Sequence, residues 1–508
     1  MQMLQTKDYV HFRVNDIEFT GFEKAGKALP GDTVQWNGSS CELIERKKKH
    51  VITGTVELAS KTKYGITAKG YLMYLFVPFD TSYPSMVVGS SHKDCSRNYI
   101  GLAEFDSWER TLPRANLIRL LGPCGDFAVE AEAILLTYHP YKMPKMMELE
   151  LETTDFMKRE ICPEQSFNID PKGCMDIDDA LSIRGNEIWI TIADVAERVS
   201  YNSPVDVFAS VHGQTVYRNG NVVLPMLPPH LSEIMCSLHP GEFKPGVSLV
   251  LTCTEHPFTI LSTCWKLTAI RNLKSYDYDT FVKKGRKDGI NTMFIQSIAE
   301  HILGYSTDDP HKWVEAFMLK YNMETAKILR LIGKGILRKH SGAEEEKWKL
   351  YSQWGLESLA MASAEYCNAN DPSPKHISLG QDVYCHATSP IRRYADLVNQ
   401  RILKTYIDGS IPIIQTVNID WINQRQKNGK RYEREIFFLE NLGKGRLDAT
   451  VIDVKTGKMK LWIPSWKRII SWRTDSKLDA GVQIKLDYFV NQNSRNWKER
   501  IVYRLVEE

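Results

Sequence analysis

Between Asn168 and Ala180 the chain crowds Asp170, Asp176, Asp178 and Asp179 into one short stretch, with Lys172 the only cation between them. Like charges held this close repel, so a fold that keeps them together calls for a counter-ion. Ile169, Met175, Ile177, Ala180, Leu181 and Ile183 make the segment apolar, unlike a solvated acidic loop. In an extended backbone side chains alternate, which puts Asp176 and Asp178 on one face and turns Asp179 away. Asp170 rejoins the group across the Pro171-Lys172-Gly173 turn. Oxygen donors without His or Cys suit Mg²⁺, or Mn²⁺, better than Zn²⁺. A carboxylate nest of this kind clamps two metals that assist phosphodiester cleavage. A calcium loop of EF-hand type is excluded, because Ala180 and Leu181 stand where that loop needs an oxygen ligand and a glycine.

With 508 residues, 43% of them hydrophobic, the chain can bury several cores, and its length suggests three or four domains. Its 65 basic residues nearly balance 62 acidic ones, so any nucleic-acid surface must be local. Ten cysteines lie scattered without a C-x-x-C pair or a zinc-like spacing, and read as reduced and mostly buried. Met1 to Gln5 lack a signal pattern, and no apolar run approaches the roughly 20 residues of a membrane span. The expectation is a cytoplasmic protein with no membrane contact.

From about Tyr9 to Tyr138 short alternating runs such as Val51–Leu58 and Tyr71–Pro78 are punctuated by Gly, Pro, Asp or Ser, an all-β pattern. Gly31-Asp32-Thr33-Val34 and Gly125-Asp126-Phe127-Ala128-Val129 read as turn-then-strand repeats, which favours two small barrels over one sandwich. Their boundary falls near Arg46-Lys47-Lys48-Lys49-His50, a run read first as a solvated turn. A Met- and Glu-rich linker, Met143 to Met157, leads into a central block containing a buried strand over Trp189–Val195. Beyond Lys312, Val314, Phe317, Met318 and Tyr321, then Ile328, Leu329, Ile332, Ile336 and Leu337, recur at helical spacing and mark core. From Thr450 the β alternation returns as a third small barrel. There Trp462, Trp466, Lys467, Arg468, Trp472, Arg473, Trp497 and Lys498 mix aromatics with cations, as suits base stacking, although some Trp residues must fill a core.

A second constellation is Tyr384-Cys385-His386-Ala387-Thr388-Ser389-Pro390-Ile391-Arg392-Arg393-Tyr394-Ala395-Asp396-Leu397. Ser389-Pro390 reads as a helix start, with Tyr394, Leu397, Val398 and Ile402 as its buried stripe. That places Arg392 and Arg393 in a first turn, where the helix dipole disfavours cations and a phosphate would be welcome. For Arg393 a pairing with Asp396 weighs equally with an RNA contact.

Together the two stretches resemble the RNase II / RNase R family of processive exoribonucleases, whose signatures I-D-P-x-x-x-x-D-x-D-D-A and T-S-P-I-R-R-Y-x-D-L stand here intact. Gly213–Tyr217, Leu224–Pro228 and Leu231-Ser232 through Cys236-Ser237-Leu238 also match in order and spacing. The resemblance implies an α+β multidomain fold. Two cold-shock, OB-like β-barrels (residues 1–50 and 51–142) would precede a central α/β RNB catalytic domain (143–440), with an OB-like RNA-binding barrel (441–508) after it. It implies that Asp170, Asp176, Asp178 and Asp179 hold Mg²⁺, with Mn²⁺ the alternative. Asp178 and Arg392 would be catalytic, and Tyr217 would stack on the terminal base. Tyr278 would contact a sugar, with Tyr276 as the alternative. The implied activity is hydrolytic 3′-to-5′ degradation of single-stranded RNA to nucleoside 5′-monophosphates, by a monomer or within an RNA-degradation complex.

Some positions depart from the pattern. Thr191 stands where the family usually has His, Ala316 where it has Glu beside Glu315, and Asn399-Gln400 where it has Val-His. Residues 283–312 form a shorter region than usual, so a second stacking aromatic has no assigned position. An RNA-binding relative without activity and a nuclease acting on DNA or internally are the rival readings.

Overall fold

The computed structural model describes residues 2–46, 50–139, 155–255, 257–411, 415–441, 443–476, 478–491 and 501–506. Lys47 to Lys49, residues 143–154 of the expected linker, Trp497 and Lys498 lie outside them. The chain forms two compact units, one of Met1–Met143 with Lys430–Glu508 and one of Pro144–Gly429.

The first unit begins with two three-stranded sheets. Gln2–Met3, Thr33–Trp36 and Cys41–Glu45 form one, and Gln5–Thr6, His11–Val14 and Ile17–Thr20 the other. They share a core of Leu4, Phe12, Val14, Ala25, Val34 and Cys41. The run from Arg46 to His50 is not a free turn at its ends. Arg46 Nη1 and His50 Nε2 lie 3.1 and 2.8 Å from the carboxylate of the fully buried Asp32.

Five strands then close a barrel: Val51–Val56, Met73–Pro78, Met86–Gly89, Tyr99–Ser107 and Arg114–Pro123. Around the ring the order is first, second, third, fifth, fourth, with the fourth returning to the first. All pairs are antiparallel except third with fifth. Ile52, Val56, Tyr74, Phe76, Met86, Val88, Ala103 and Ala115 fill the interior. Gly54 faces Gly101 across the ladder, and a Cβ on Gly54 would meet the Val77 carbonyl oxygen at 2.4 Å. Only glycine permits that approach.

The strand expected after Gly125 is instead a helix, Phe127–Tyr138. Asp126 caps it by accepting from Val129 N at 3.1 Å, and the Ala- and Glu-rich run that follows favours helix over strand. Near the C-terminus, Gly445–Lys455, Lys458–Ile463, Arg468–Arg473, Gln483–Val490 and Ile501–Leu505 form an open sheet in the order third, second, first, fourth, fifth. That is the barrel's ring cut between its third and fifth strands. Two of the Trp residues read as partners for bases are core here. Trp472 is buried, and Trp466 is packed edge-on against Phe438 and Tyr488 with centroids 5.0 Å away.

The second unit is built on a seven-stranded sheet ordered Glu160–Ile161, Ile260–Arg271, Phe243–Cys253, Glu187–Ala193, Asp179–Arg184, Ser166–Ile169, Lys274–Tyr276. Its middle pairs are antiparallel and its two outer pairs parallel. The helices Tyr278–Lys287, Thr292–Leu303, Pro310–Ile332 and Tyr394–Asp408 share one hydrophobic core with it, including Trp189, Leu249, Phe281, Phe317, Tyr321 and Leu397. Ile336 and Leu337 are not on the long helix as their spacing suggested. Gly333, at φ 71°, ends that helix, and both residues continue in a strand paired with Glu365–Asn368.

Candidate active site

The loop holding the four carboxylates is pinned from several directions. Asp170 follows a strand whose last residue, Ile169, pairs in parallel with Tyr276, and Asp170 N donates to Tyr276 O at 3.0 Å. Asn168 Nδ2 donates to Asp170 Oδ2 at 2.8 Å, while Asn168 Oδ1 accepts from Asn272 Nδ2 at 2.7 Å and Ser275 Oγ at 2.6 Å. The chain turns through Gly173 at φ +86°, a conformation that other residues adopt with strain. Ser237 then clamps the middle of the loop: its hydroxyl accepts from Ile177 N at 2.9 Å and donates to Met175 O at 2.8 Å. The segment Cys236-Ser237-Leu238 was legible as a motif, but not as this clamp.

Alternation along a strand does not place the acids. Asp176 to Asp178 lie in the loop and the strand begins only at Asp179, so Asp179 is turned toward the others and feels Asp170 and Asp178. Asp178 is the most enclosed, its side chain 3% exposed. Its Oδ1 accepts from Ile391 N at 2.9 Å and its Oδ2 from Arg392 Nε at 3.1 Å. Arg392 also donates through Nη2 to Ser389 Oγ at 3.0 Å, and its side chain remains 45% exposed. One edge of the guanidinium is thus locked and another faces outward.

Ser389-Pro390 does not start the helix. Arg392 N and Arg393 N both donate to Ser389 O, Arg393 is extended at φ −134° and ψ 122°, and the helix begins at Tyr394. Thr215 N donates to Arg392 O at 2.9 Å and Tyr394 N to Gly213 O at 2.9 Å, so the Gly213–Thr215 segment holds the loop. Long-range pairing overrides the local capping signal, and Arg393 rather than Ser389 becomes the N-cap residue of the helix.

Burial and mutual repulsion raise the carboxyl groups of Asp170 and Asp179, while burial pushes Asp178 up to about 7 against the pull of Arg392. Acids placed this way cannot all ionise without added positive charge. The donor set is therefore of the kind a hard divalent cation takes. Asp178 is engaged through both oxygens, and Asp176 accepts from the Tyr217 hydroxyl. Among the described residues no three ligating side chains form a ready-made shell.

The residues expected to touch RNA divide. Tyr217, on the strand Val216–Arg218, reaches Asp176 and so sits at the cluster. Tyr276 is buried and donates to Asp288 Oδ2 at 2.6 Å, which makes it structural. Tyr278 opens its helix in the electrostatic field of Asp170 and Asp179. Arg393 turns inward: Nε and Nη2 donate to Asp396 Oδ2 at 3.1 and 2.8 Å, and Asp396 is fully enclosed. The reading of Arg393 as an RNA contact gives way to the internal pair.

The departures have structural accounts. Thr191 Oγ1 lies 2.7 Å from Ser248 Oγ, which lies 2.8 Å from Thr268 Oγ1, in a buried hydroxyl ladder. A Cβ on the neighbouring Gly246 would meet Thr191 Cγ2 at 2.5 Å, so a ring has no room there. Asn399 Nδ2 donates to Ile336 O and His386 O, and Gln400 Nε2 to Ala193 O at 2.8 Å. Ala316 is fully buried in the core.

His376, stacked on His340 with centroids 5.4 Å apart, carries a pH dependence. Burial, helped by His340 and Arg338, lowers His376 to about 4. The unfolded chain takes up that proton near 6.5, so this residue withdraws stability as pH falls from about 6.5 toward 4. The buried carboxylates titrate with the opposite sign, and a variant isolates the histidine. Between pH 7 and 5, urea unfolding of His376→Gln should lose about 1–2 kcal/mol less than the wild type. Equal losses would contradict the assignment.

Residues 159–291 and 353–409 match the RNB domain, and residues 73–139 the Dis3-like cold-shock domain 2. The DIS3-like exonuclease 2 of Xenopus tropicalis is 24% identical over 81% of this chain and 64% of its own length. The human exosome complex exonuclease RRP44 is 25% identical over 66% and 44%, and exoribonuclease 2 of Aeromonas hydrophila 25% over 56% and 53%. The chain thus spans about half to two thirds of the length of these relatives. RNase R of Mycoplasma genitalium, in complex with ribose-methylated single-stranded RNA, superposes with a TM-score of 0.77 at 16% identity, covering 99% of this chain and 100% of that one. Yeast Ssd1, a pseudonuclease, superposes at 0.71 and 17%, covering 96% and 80%. With these matches in sequence and fold, the chain belongs to the RNB-domain family, that of RNase II and RNase R.

Proposed function

We propose that the chain is a metal-dependent, processive 3′-to-5′ exoribonuclease that hydrolyses single-stranded RNA to nucleoside 5′-monophosphates. The observation that carries this reading is the buried Asp178, joined to the half-exposed Arg392 inside a cluster of four carboxylates. Asp170, Asp176, Asp178 and Asp179 would hold Mg²⁺ or Mn²⁺, which when bound activates water and offsets the charge on a leaving oxygen. Asp178 fixes Arg392 so that its outward N–H groups meet the non-bridging oxygens of the scissile phosphate, where negative charge builds up. Tyr217, bonded to Asp176, presents its ring to the terminal base. Tyr278 lies where the adjoining sugar passes. The OB-like domains would bind single-stranded RNA, and the protein would act in the cytoplasm, alone or in an RNA-degradation complex.

The likeness to a pseudonuclease favours a second reading, RNA binding without hydrolysis. Incubating 5′-labelled single-stranded RNA with Mg²⁺, and again with EDTA, separates the two. The proposal expects progressive shortening from the 3′ end with mononucleotide products, abolished by EDTA, and an untouched deoxy-oligomer. Retarded but intact RNA would establish the binder instead.

A further inference from the structure

Tyr278 does not stand alone at the edge of the carboxylate cluster. The His311 imidazole covers one face of its ring, with centroids 3.7 Å apart and planes 9° from parallel. The bond from Asp170 N to Tyr276 O brings this chain segment alongside the acids, and Tyr278 follows two residues later. His311 lies in the first turn of Pro310–Ile332, its side chain 59% exposed.

The other polar residues nearby on that helix are occupied or absent. Glu315 is paired with Lys312 at 2.6 Å, and Ala316 is buried. His311 Nδ1 lies 3.0 Å from Asp309 Oδ1, which also accepts from the His311 backbone N at 2.9 Å. An ionised carboxylate only accepts, so Nδ1 carries its hydrogen toward Asp309, and in that tautomer Nε2 is the acceptor. No described residue occupies that nitrogen. An acceptor on a flat, half-open ring pair is suited to a sugar hydroxyl, which must donate to be recognised.

We infer that the Asp309–His311 pair reads the sugar at the 3′ end of the RNA. Nε2 of His311 accepts a hydrogen bond from the ribose 2′-hydroxyl, and the stacked Tyr278 and His311 rings form the wall behind it. Asp309 is a positioning residue that fixes the tautomer. This rests on the proposed function in placing the RNA 3′ end at the carboxylates and its sugar beside Tyr278.

The test measures binding in EDTA, without hydrolysis, of two single-stranded RNAs that differ only in a 2′-hydroxyl or 2′-deoxy terminal nucleotide. The wild type should prefer the ribose end by about 10-fold, the scale of one net hydrogen bond. His311→Phe keeps a stacking ring but no acceptor, and should bring the ratio to about 1 by weakening only the ribose-ended RNA. Asp309→Asn should give an intermediate ratio. The inference is overturned if the wild type shows no preference, or if His311→Phe keeps the wild-type ratio. A chain that binds with this preference yet never hydrolyses RNA would sink the proposed activity and leave the sugar reading standing.

Discussion

Asp178→Asn should slow RNA hydrolysis by about 10³-fold or more while leaving affinity for single-stranded RNA within about two-fold. The asymmetry follows from where the side chain sits. Only 3% exposed, it offers little surface to RNA, yet it holds Arg392 Nε at 3.1 Å and completes the acid cluster. Asn can still accept from Ile391 N, which now bonds Oδ1 at 2.9 Å, so the backbone of the arginine loop keeps its anchor. What is lost is charge, and with it the grip on a cation and on the guanidinium. The fold itself should survive, because the amide keeps the shape of the carboxyl and the bond from Ile391 N. Wild-type turnover by the purified variant would show that the chemistry lies elsewhere.

Arg393→Ala should be damaging for a different reason, by about 3–5 kcal/mol of stability. Asp396 is fully buried, and its Oδ2 takes two bonds from Arg393 and one from Ser389 N at 2.8 Å, while Oδ1 has no hydrogen-bond partner among the described residues. Removing the guanidinium strands a carboxylate inside the unit, and the Ser389–Arg393 loop loses its brace. Thermal and urea unfolding of the variant check this. The double replacement Arg393→Leu with Asp396→Leu should recover much of the loss, because no buried charge remains unpaired. If Arg393→Ala melted like the wild type and only RNA binding weakened, the residue would be a phosphate contact after all.

The neighbouring arginines show how far residues alone can be read. Both stood out in the sequence as cations beside a helix start, and for Arg393 the local partner Asp396 was visible three positions on. That Ser389-Pro390 does not begin the helix was not visible, since Gly213–Thr215, distant in sequence, supplies the pairing that extends Arg393. The carboxylate nest was legible because charge crowding inside apolar flanks has few physical outcomes. The face assigned to Asp179 was wrong because alternation presumes a strand that starts only there. Tyr276 and Tyr278 could be told apart only by burial. The C-terminal sheet was legible from its alternation, while Trp466 and Trp472 needed the packed structure to be placed in its core. Ser237 was legible within a motif but not as a clamp, and the contacts of Asn168 with Asn272 and Ser275 and of His311 with Tyr278 join residues remote in the chain.

The proposed hydrolysis requires acids that accept a divalent ion beside Arg392. Calorimetric titration of Mn²⁺ into metal-free protein reads that directly. Saturable binding in the wild type, lost or weakened at least about ten-fold in Asp178→Asn and in Asp170→Asn with Asp179→Asn, is the predicted outcome. Equal binding by all three proteins, or none by the wild type, would contradict it.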